Sequence, residues 1–245
     1  MPKNILLTGA TGFIGSKLLE ALIVDGYNVI ILLRATSNTK RIHHLAGKYV
    51  AYVIKEGSDI NENIFIDNKV DTILHTATEY GREGRLLSSV LTGNVIMPIQ
   101  LIEKGLKHGL KRFINTDTFF CKPTVTPTYL KDYVASKKIL REFLLDFSAS
   151  IQVDNMRLEH VFGEHDSADK FVSVIINNCL NNKKEVLLTE GIQKRDFIYS
   201  SDVVNAFISV LKEGKEKIGF VEYEVGTGHS ISVKEFVLKI AAISK

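Results

Sequence analysis

The chain is predicted to fold as an α/β protein, a doubly wound parallel sheet of the Rossmann type with a smaller lobe toward its C-terminal end. Three observations predict this. A short apolar run, Ile5 to Leu7, leads directly into glycines at positions 9, 12 and 15. Apolar runs then alternate with amphipathic stretches through the first two thirds of the sequence. The runs are apolar along their whole length, the pattern of parallel strands covered by helices on both faces.

The first strand, Ile5–Thr8, ends at Gly9-Ala10-Thr11-Gly12-Phe13-Ile14-Gly15. Gly9 permits a tight turn, Gly12 lets the backbone approach a phosphate, and Gly15 lets the next helix pack closely on the strand. That helix, Gly12–Val24, places Ile14, Leu18, Leu19 and Leu22 at helical spacing on one buried face. Its free N–H groups and partial positive charge suit an anion, so the turn is expected to hold a dinucleotide pyrophosphate, with Thr11, Phe13 and Ile14 alongside the glycines. The spacing is G-x-x-G-x-x-G and not the common G-x-G-x-x-G.

Further strands are expected at Asn28–Arg34, Tyr49–Val53, Thr72–His75, Arg112–Thr116 and Ile151–Met156, with helices at Leu86–His108 and Tyr129–Phe147. Beyond about residue 160 the pattern loosens: helices Phe171–Leu180, Asp202–Leu211 and Val233–Ala242, and strands Glu185–Leu188 and Phe220–Val225. This divides the chain into a dinucleotide-binding part, residues 1–160, and a part that is mostly lobe, residues 161–245, with 196–212 returning to the first. Four prolines and no long Gly/Ser stretch leave no flexible linker.

At 245 residues, 45% apolar and 24% charged, the chain has the bulk and composition of one globular domain or one with a small appendage. A net charge of +3, without basic residues interleaved with aromatics, does not suggest a nucleic-acid binder. Lys111-Arg112 and Lys183-Lys184 read as solvated faces. Cys121 and Cys179 stand far apart in no metal-like spacing and read as reduced thiols. Met1-Pro2-Lys3 runs straight into a strand, and no apolar run approaches the roughly 20 residues of a membrane span. No leader or membrane anchor is therefore expected, and a cytoplasmic location is.

Ligands in such sheets bind at the carboxyl ends of the strands, and the chemistry-bearing residues fall there. The second strand ends at Arg34, nineteen positions after Gly15, where an acidic residue usually bonds the ribose of NAD. Arg34 suits a 2′-phosphate, helped by Ser37, Lys40 or Arg41, so NADP(H) is favoured over NAD(H); the alternative is an arginine stacked on adenine, which tolerates NAD. Asp59 and Ile60 are placed to reach adenine, Asp59 equally serving as a helix cap. Thr76 and Ala77, small residues after the fourth strand, leave room for the cofactor ribose, and His75 reads as a packing residue. Tyr133 and Lys137, four apart, share a helix face. An ammonium beside a phenol lowers its pKa and fits the tyrosine for proton exchange at a carbinol or carbonyl oxygen during hydride transfer. Lys137 also suits the nicotinamide ribose. Thr116 and Thr118, at the end of the fifth strand, are candidates to hold the substrate oxygen beside Tyr133.

Taken together, these residues resemble the extended short-chain dehydrogenase/reductases of the NAD-dependent epimerase/dehydratase type, which act mostly on nucleotide sugars. The likeness covers nearly the whole length. Thr8–Gly15 matches the family opening, and Tyr133 and Lys137 match its Tyr-x-x-x-Lys. Asn94, in Gly93-Asn94-Val95, matches an asparagine of the crossover helix, which implies a cofactor-side role. Arg157–Gly163 resembles a segment in which the residue at the place of His160 often faces the sugar nucleotide. Gly191–Asp202 resembles a Gly-x-x-Arg-Asp-aromatic segment whose arginine, here Arg195, binds the substrate diphosphate. Val225-Gly226-Thr227-Gly228 resembles a late turn. With Phe120 at the place of a family tyrosine, the catalytic hydroxyl falls on Thr116. The resemblance also implies a homodimer, and chain continuing beyond the last helix.

The departures shape the expected reaction. Dehydratases of this type carry an Asp-Glu pair where this chain has Asp117-Thr118, so the base for dehydration is missing. With Arg34 read as a phosphate clamp, the expectation is NADPH-dependent reduction of a nucleotide-linked 4-keto sugar, resembling the reductases of deoxysugar synthesis such as CDP-abequose and CDP-paratose synthases. The alternative is an NAD(P)-dependent nucleotide-sugar 4-epimerase, and a third reading is a non-catalytic NADP(H)-binding regulator.

Overall fold

A computed structural model describes residues 3–55, 57–82, 84–125, 129–183, 185–213 and 217–244. In chain order the elements are β1 (Asn4–Thr8), α1 (Phe13–Val24), β2 (Asn28–Arg34), β3 (Val50–Ile54), α2 (Asn63–Asn68), β4 (Thr72–His75), α3 (Leu87–Leu91), α4 (Met97–Lys107), β5 (Arg112–Thr118), α5 (Lys131–Phe147), β6 (Gln152–Leu158), β7 (His160–Phe162), α6 (Phe171–Leu180), β8 (Lys194–Arg195), β9 (Phe197–Tyr199), α7 (Ser200–Lys212), β10 (Gly219–Val225), β11 (Ile231–Ser232) and α8 (Val233–Ile243).

Seven parallel strands form one sheet in the order β10-β6-β5-β4-β1-β2-β3. β1 pairs with both β2 and β4, so the winding reverses there and the carboxyl ends splay into a crevice, the switch point at which such sheets take ligands. The apolar strands bury alternate residues on opposite faces. Ile5, Leu7, Ile31, Leu74 and Ile114 pack under Leu18 and Leu22 of α1 and Phe207 of α7. Leu6, Ile30, Ile73 and Phe113 pack under Leu101 and Ile102 of α4 and Leu140 and Leu144 of α5. Two covered faces are what fully apolar strands require, and the α/β expectation holds.

Four local expectations are corrected. The helix expected over Leu86–His108 is interrupted at Thr92–Ile96 by a wider π-helical turn, a device that re-aims side chains near sites. α5 begins at Lys131 because Leu130, at φ +57°, sits in the left-handed region and turns the chain into the helix. No strand forms at Glu185–Leu188; the short pairing in this region is instead β8 with β11. Arg112 is not a solvated face. It is 3% exposed, its Nε donates to Asp154 at 2.6 Å, and its Nη atoms donate to the carbonyls of Val210 and Leu211 in the last turn of α7. The sequence shows a basic pair; only the pairing of β5 with β6, which sets Arg112 against Gln152 with Asp154 two residues further along, reveals the acid. Lys183 is exposed, and Lys184 lies outside the described residues.

β10 lies in the stretch expected to be mostly lobe, yet it pairs with β6 from Gly219↔Gln152 to Val225↔Leu158. Two small pairings, β7 with β9 and β8 with β11, stand beyond the carboxyl edge of the main sheet with α6 and α8. Among the described residues no helix is long and apolar enough to cross a membrane.

Candidate active site

The glycine turn is held too tightly for side chains. Gly12 N donates to Gly9 O at 2.9 Å. A Cβ on Gly15 would fall 2.1 Å from Gly9 O, and one on Gly9, at φ +72°, 2.6 Å from Ala77 N. α1 therefore starts hard against the ends of β1 and β4. Thr76 Oγ1 donates to Thr8 O at 2.7 Å, and Ala77 N donates to Thr8 Oγ1 at 3.2 Å. This cross-bracing leaves bare backbone facing a cavity of about 760 Å³, within the size range of cofactor sites.

The cavity runs from the glycine turn to the lobe. Gly9, Thr11, Gly12, Phe13, Ile14, Gly15, Arg34, Ile60, Thr76 and Ala77 line the part around the glycine turn, and Thr116, Thr118, Tyr133 and His160 also line the cavity. The bare cradle, the amide-rich start of α1 and the enclosed volume fit a dinucleotide. Asp59 stands between the lining residues Ser58 and Ile60, its carboxylate paired with Lys104 Nζ at 2.6 Å, a hydrogen bond that holds its pKa below the usual range. Asn94 braces the protein beside the cavity. It is fully buried, its amide bridges the backbone of Glu79 in both directions at 2.7 Å, and it donates to Ser136 Oγ at 2.9 Å. Ser136 in turn donates to Tyr133 O at 2.7 Å. The π turn points Asn94 inward and so fixes the helix that carries the Tyr–Lys pair.

Tyr133 and Lys137 are both buried, at 6% and 2% exposure. Lys137 Nζ donates to the Thr116 carbonyl at 2.8 Å and lies 6.0 Å from the Tyr133 ring centroid. Burial pulls Lys137 down to about 8, while Asp117 and Cys121 pull upward. In the protein alone burial pushes the Tyr133 phenol well up, Tyr80 adds to this, and a hydrogen bond with the Thr118 side chain opposes it. Tyr133 therefore rests protonated, as a proton donor. Thr116 Oγ1 is buried without a partner among the described residues and lines the cavity, a hydroxyl left over for a ligand.

His75 is a packing residue, as expected. It is fully buried and stacked on Phe113 with 5.7 Å between centroids, its Nδ1 bonded to Thr8 Oγ1 at 2.8 Å, and burial lowers its pKa to about 3. His160 lies 4.1 Å from Phe119 and 5.7 Å from Phe197 between ring centroids, and burial and then the Arg195 charge lower it to about 4, so it is neutral near pH 7. Arg195 does not line the cavity; its Nη1 donates to the carbonyl of Lys194 at 2.8 Å. Its neighbour Asp196 is the device that the sequence reading did not assign. Its carboxylate accepts from Thr227 N, Thr227 Oγ1 and Gly228 N at 3.1, 2.7 and 2.9 Å, pinning the late glycine turn to β9. Tyr80 was also missed. Its ring lies 4.9 Å from that of Tyr133, and its sequence signal is its place shortly after the small residues that follow β4.

A parallel sheet with a bare glycine cradle at its switch point and a buried Tyr–Lys helix beside it defines a dinucleotide-dependent oxidoreductase of the short-chain dehydrogenase/reductase class. The chain belongs to the NAD dependent epimerase/dehydratase family, whose model matches residues 5–226. It is 37% identical over 242 residues to a CDP-abequose synthase of Salmonella typhimurium, covering 97% of this chain and 80% of that one. It is 27% identical to a putative UDP-glucose 4-epimerase of Methanocaldococcus jannaschii, covering 94% and 79%. Among solved structures, MoeE5 in complex with UDP-glucuronic acid and NAD superposes with a TM-score of 0.80 at 26% identity, covering 98% and 82%.

The family and the intact Tyr–Lys pair make the chain an enzyme, which removes the regulator reading. They also correct the cofactor. The expectation of NADP(H) is overturned by a family defined on NAD and by the NAD held in MoeE5. Arg34, Ser37 and Arg41 all line the cavity, but the Arg41 guanidinium is engaged by the carbonyls of Thr11 and His165, and Arg34 falls to the alternative reading, an arginine that tolerates NAD.

Proposed function

We propose that this enzyme performs NAD(H)-dependent oxidoreduction at C4 of a nucleotide-linked sugar, with 4-epimerisation as the overall reaction. The observation that carries the reading is the convergence of Tyr133, Thr116 and the glycine cradle on one cavity. NAD(H), when bound along that cradle, supplies and takes up the hydride. Tyr133 exchanges the proton on the C4 oxygen, and the free Thr116 hydroxyl orients that oxygen. Lys137, anchored on the Thr116 carbonyl, places positive charge behind both. The apolar rings of Phe119 and Phe197 around His160 exclude water from the sugar end. Thr118, standing where dehydratases carry a glutamate, is no base and argues against dehydration.

A second reading, net reduction of a 4-keto sugar, is favoured by a protonated Tyr133 and by the likeness to CDP-abequose synthases. One experiment separates the two. Purified protein is given UDP-, dTDP- and CDP-linked hexoses with catalytic NAD⁺, and their 4-keto forms with stoichiometric NADH, with products read by NMR. Exchange of C4 configuration without net NADH consumption supports epimerisation; one NADH consumed per sugar supports reduction. Neither reaction across this panel, in protein that binds NADH, overturns the proposal.

A further inference from the structure

The segment between β7 and α6, Gly163–Lys170, crosses from the lobe to the dinucleotide half and is fastened there at three points. Arg41, in the loop after β2, donates from Nη2 to His165 O at 2.9 Å and from Nη1 to Thr11 O, inside the glycine turn, at 3.4 Å. Lys170, paired with Asp166 at 2.8 Å, sits 5.2 Å from the ring centroid of Phe13. Arg82, from the loop after β4, pairs with Asp169 at 3.7 Å. His165 takes φ +67°, a left-handed conformation unusual for a side-chain-bearing residue. Thr11, Phe13, Arg41, Arg82, Asp166 and Lys170 all also line the cavity. The fastenings thus lie along the cleft that the glycine turn opens onto.

We propose that Gly163–Lys170 is a strap closed over the dinucleotide and that Arg41 is its latch, with Arg82 a second, weaker fastening. Exposed ion pairs and hydrogen bonds of this kind are individually weak, so the strap is held by contacts that break one at a time. This suits a closure that must admit a cofactor and then retain it. The inference rests on the cavity being the NAD(H) site. It deepens that reading, because an enzyme that restores its own cofactor each cycle gains from slow cofactor release, whereas a reductase must open on every turnover.

The test is stopped-flow fluorescence of NADH association and dissociation on wild type, Arg41→Ala and Arg82→Ala. Opening the latch raises both rate constants. Loss of two hydrogen bonds in Arg41→Ala is expected to raise them about fivefold, and Arg82→Ala raises both by less. Faster dissociation with unchanged association in Arg41→Ala marks a direct contact with the dinucleotide and overturns the strap, as does no change in either rate. A wild type that binds no NADH overturns both the strap and the cofactor reading, whereas normal binding with unmoved rates overturns the strap alone.

Discussion

At the amino end of β5, Arg112 is bonded to Asp154, to Val210 and to Leu211, and Gln152 adds its amide to the same carboxylate at 3.2 Å. At the carboxyl end of the same strand, Thr116 Oγ1 is buried without a partner among the described residues, and Thr118 shares one hydrogen bond with Tyr133. Both ends are buried in polar surroundings, and each keeps a polar atom without a partner among the described residues, Gln152 Oε1 at the first and Thr116 Oγ1 at the second, but only the second lines the cavity. The guanidinium there lies on the carbonyl end of α7, where positive charge is favoured, and ties a helix to the sheet. The hydroxyl at the other end has no structural task, and an unmade buried hydrogen bond is costly. One end of β5 serves the fold, and the other holds groups ready for a ligand.

The sharpest way to break this contrast is at Tyr133. Tyr133→Phe keeps the ring and its packing against Tyr80 and Phe120 while removing the proton. Turnover is expected to fall by about 10²–10⁴, the usual worth of a general acid–base group, while NADH affinity and thermal stability stay close to wild type. Retained activity would show that the carboxyl end does not work as described. Next in size is Arg112→Ala, which leaves Asp154 buried without its cation. Stripping one partner from a buried pair costs about 3–5 kcal/mol, to be read as a lower denaturation midpoint in urea with unchanged cofactor affinity per folded molecule. Arg112→Met combined with Asp154→Leu should recover most of the loss.

The same contrast explains what the sequence reveals. The glycine turn, the apolar strands and the Tyr-x-x-x-Lys helix are local patterns with local physics, and they reappear almost residue for residue. Arg112 was misread because its acid lies 42 residues away and only sheet register brings the two together. Asn94 and Asp59 show a related point: the sequence places both near the glycine turn's cavity but does not show that Asn94 is bonded to Glu79 and Ser136, or that Lys104 pairs with Asp59. The 2′-phosphate reading of Arg34 failed against the NAD of the family and of its solved relatives, because a basic residue at the end of β2 does not by itself select a phosphate, and its neighbour Arg41 bonds two backbone carbonyls instead.

A third prediction tests whether His75 and His160 belong with the closed end or the open end. Both are held neutral, with folded pKa values near 3 and 4, below the ordinary value of 6.5. The unfolded chain takes up their protons first as pH falls. Their stabilising contribution is therefore complete above about pH 6.5 and is lost progressively below it, toward pH 4 for His160 and pH 3 for His75. The slope is about 1.4 kcal/mol per pH unit for each, or roughly 2 kcal/mol apiece between pH 6.5 and 5. His75→Asn, which keeps an amide near Thr8, should flatten the stability–pH curve by one histidine's share without moving the pH profile of kcat. A shifted kcat profile would place His75 with the open end.

The smallest effect is the most diagnostic, because its sign is opposite to that at Arg112. Thr116→Val replaces a hydroxyl by a methyl of nearly equal volume. In the protein as described that hydroxyl is buried with no partner, so its removal relieves a desolvated polar group and extends the apolar packing on β5. Stability should rise slightly, by about 0.5–1 kcal/mol, while kcat falls because the substrate oxygen loses its orienting bond beside Tyr133. Lys137 is unaffected, since it bonds the Thr116 backbone carbonyl and not the side chain. A gain in melting temperature together with a loss of kcat identifies a group kept for function at some cost to the fold. A loss of both would instead place Thr116 with Arg112, among the residues that hold the sheet together.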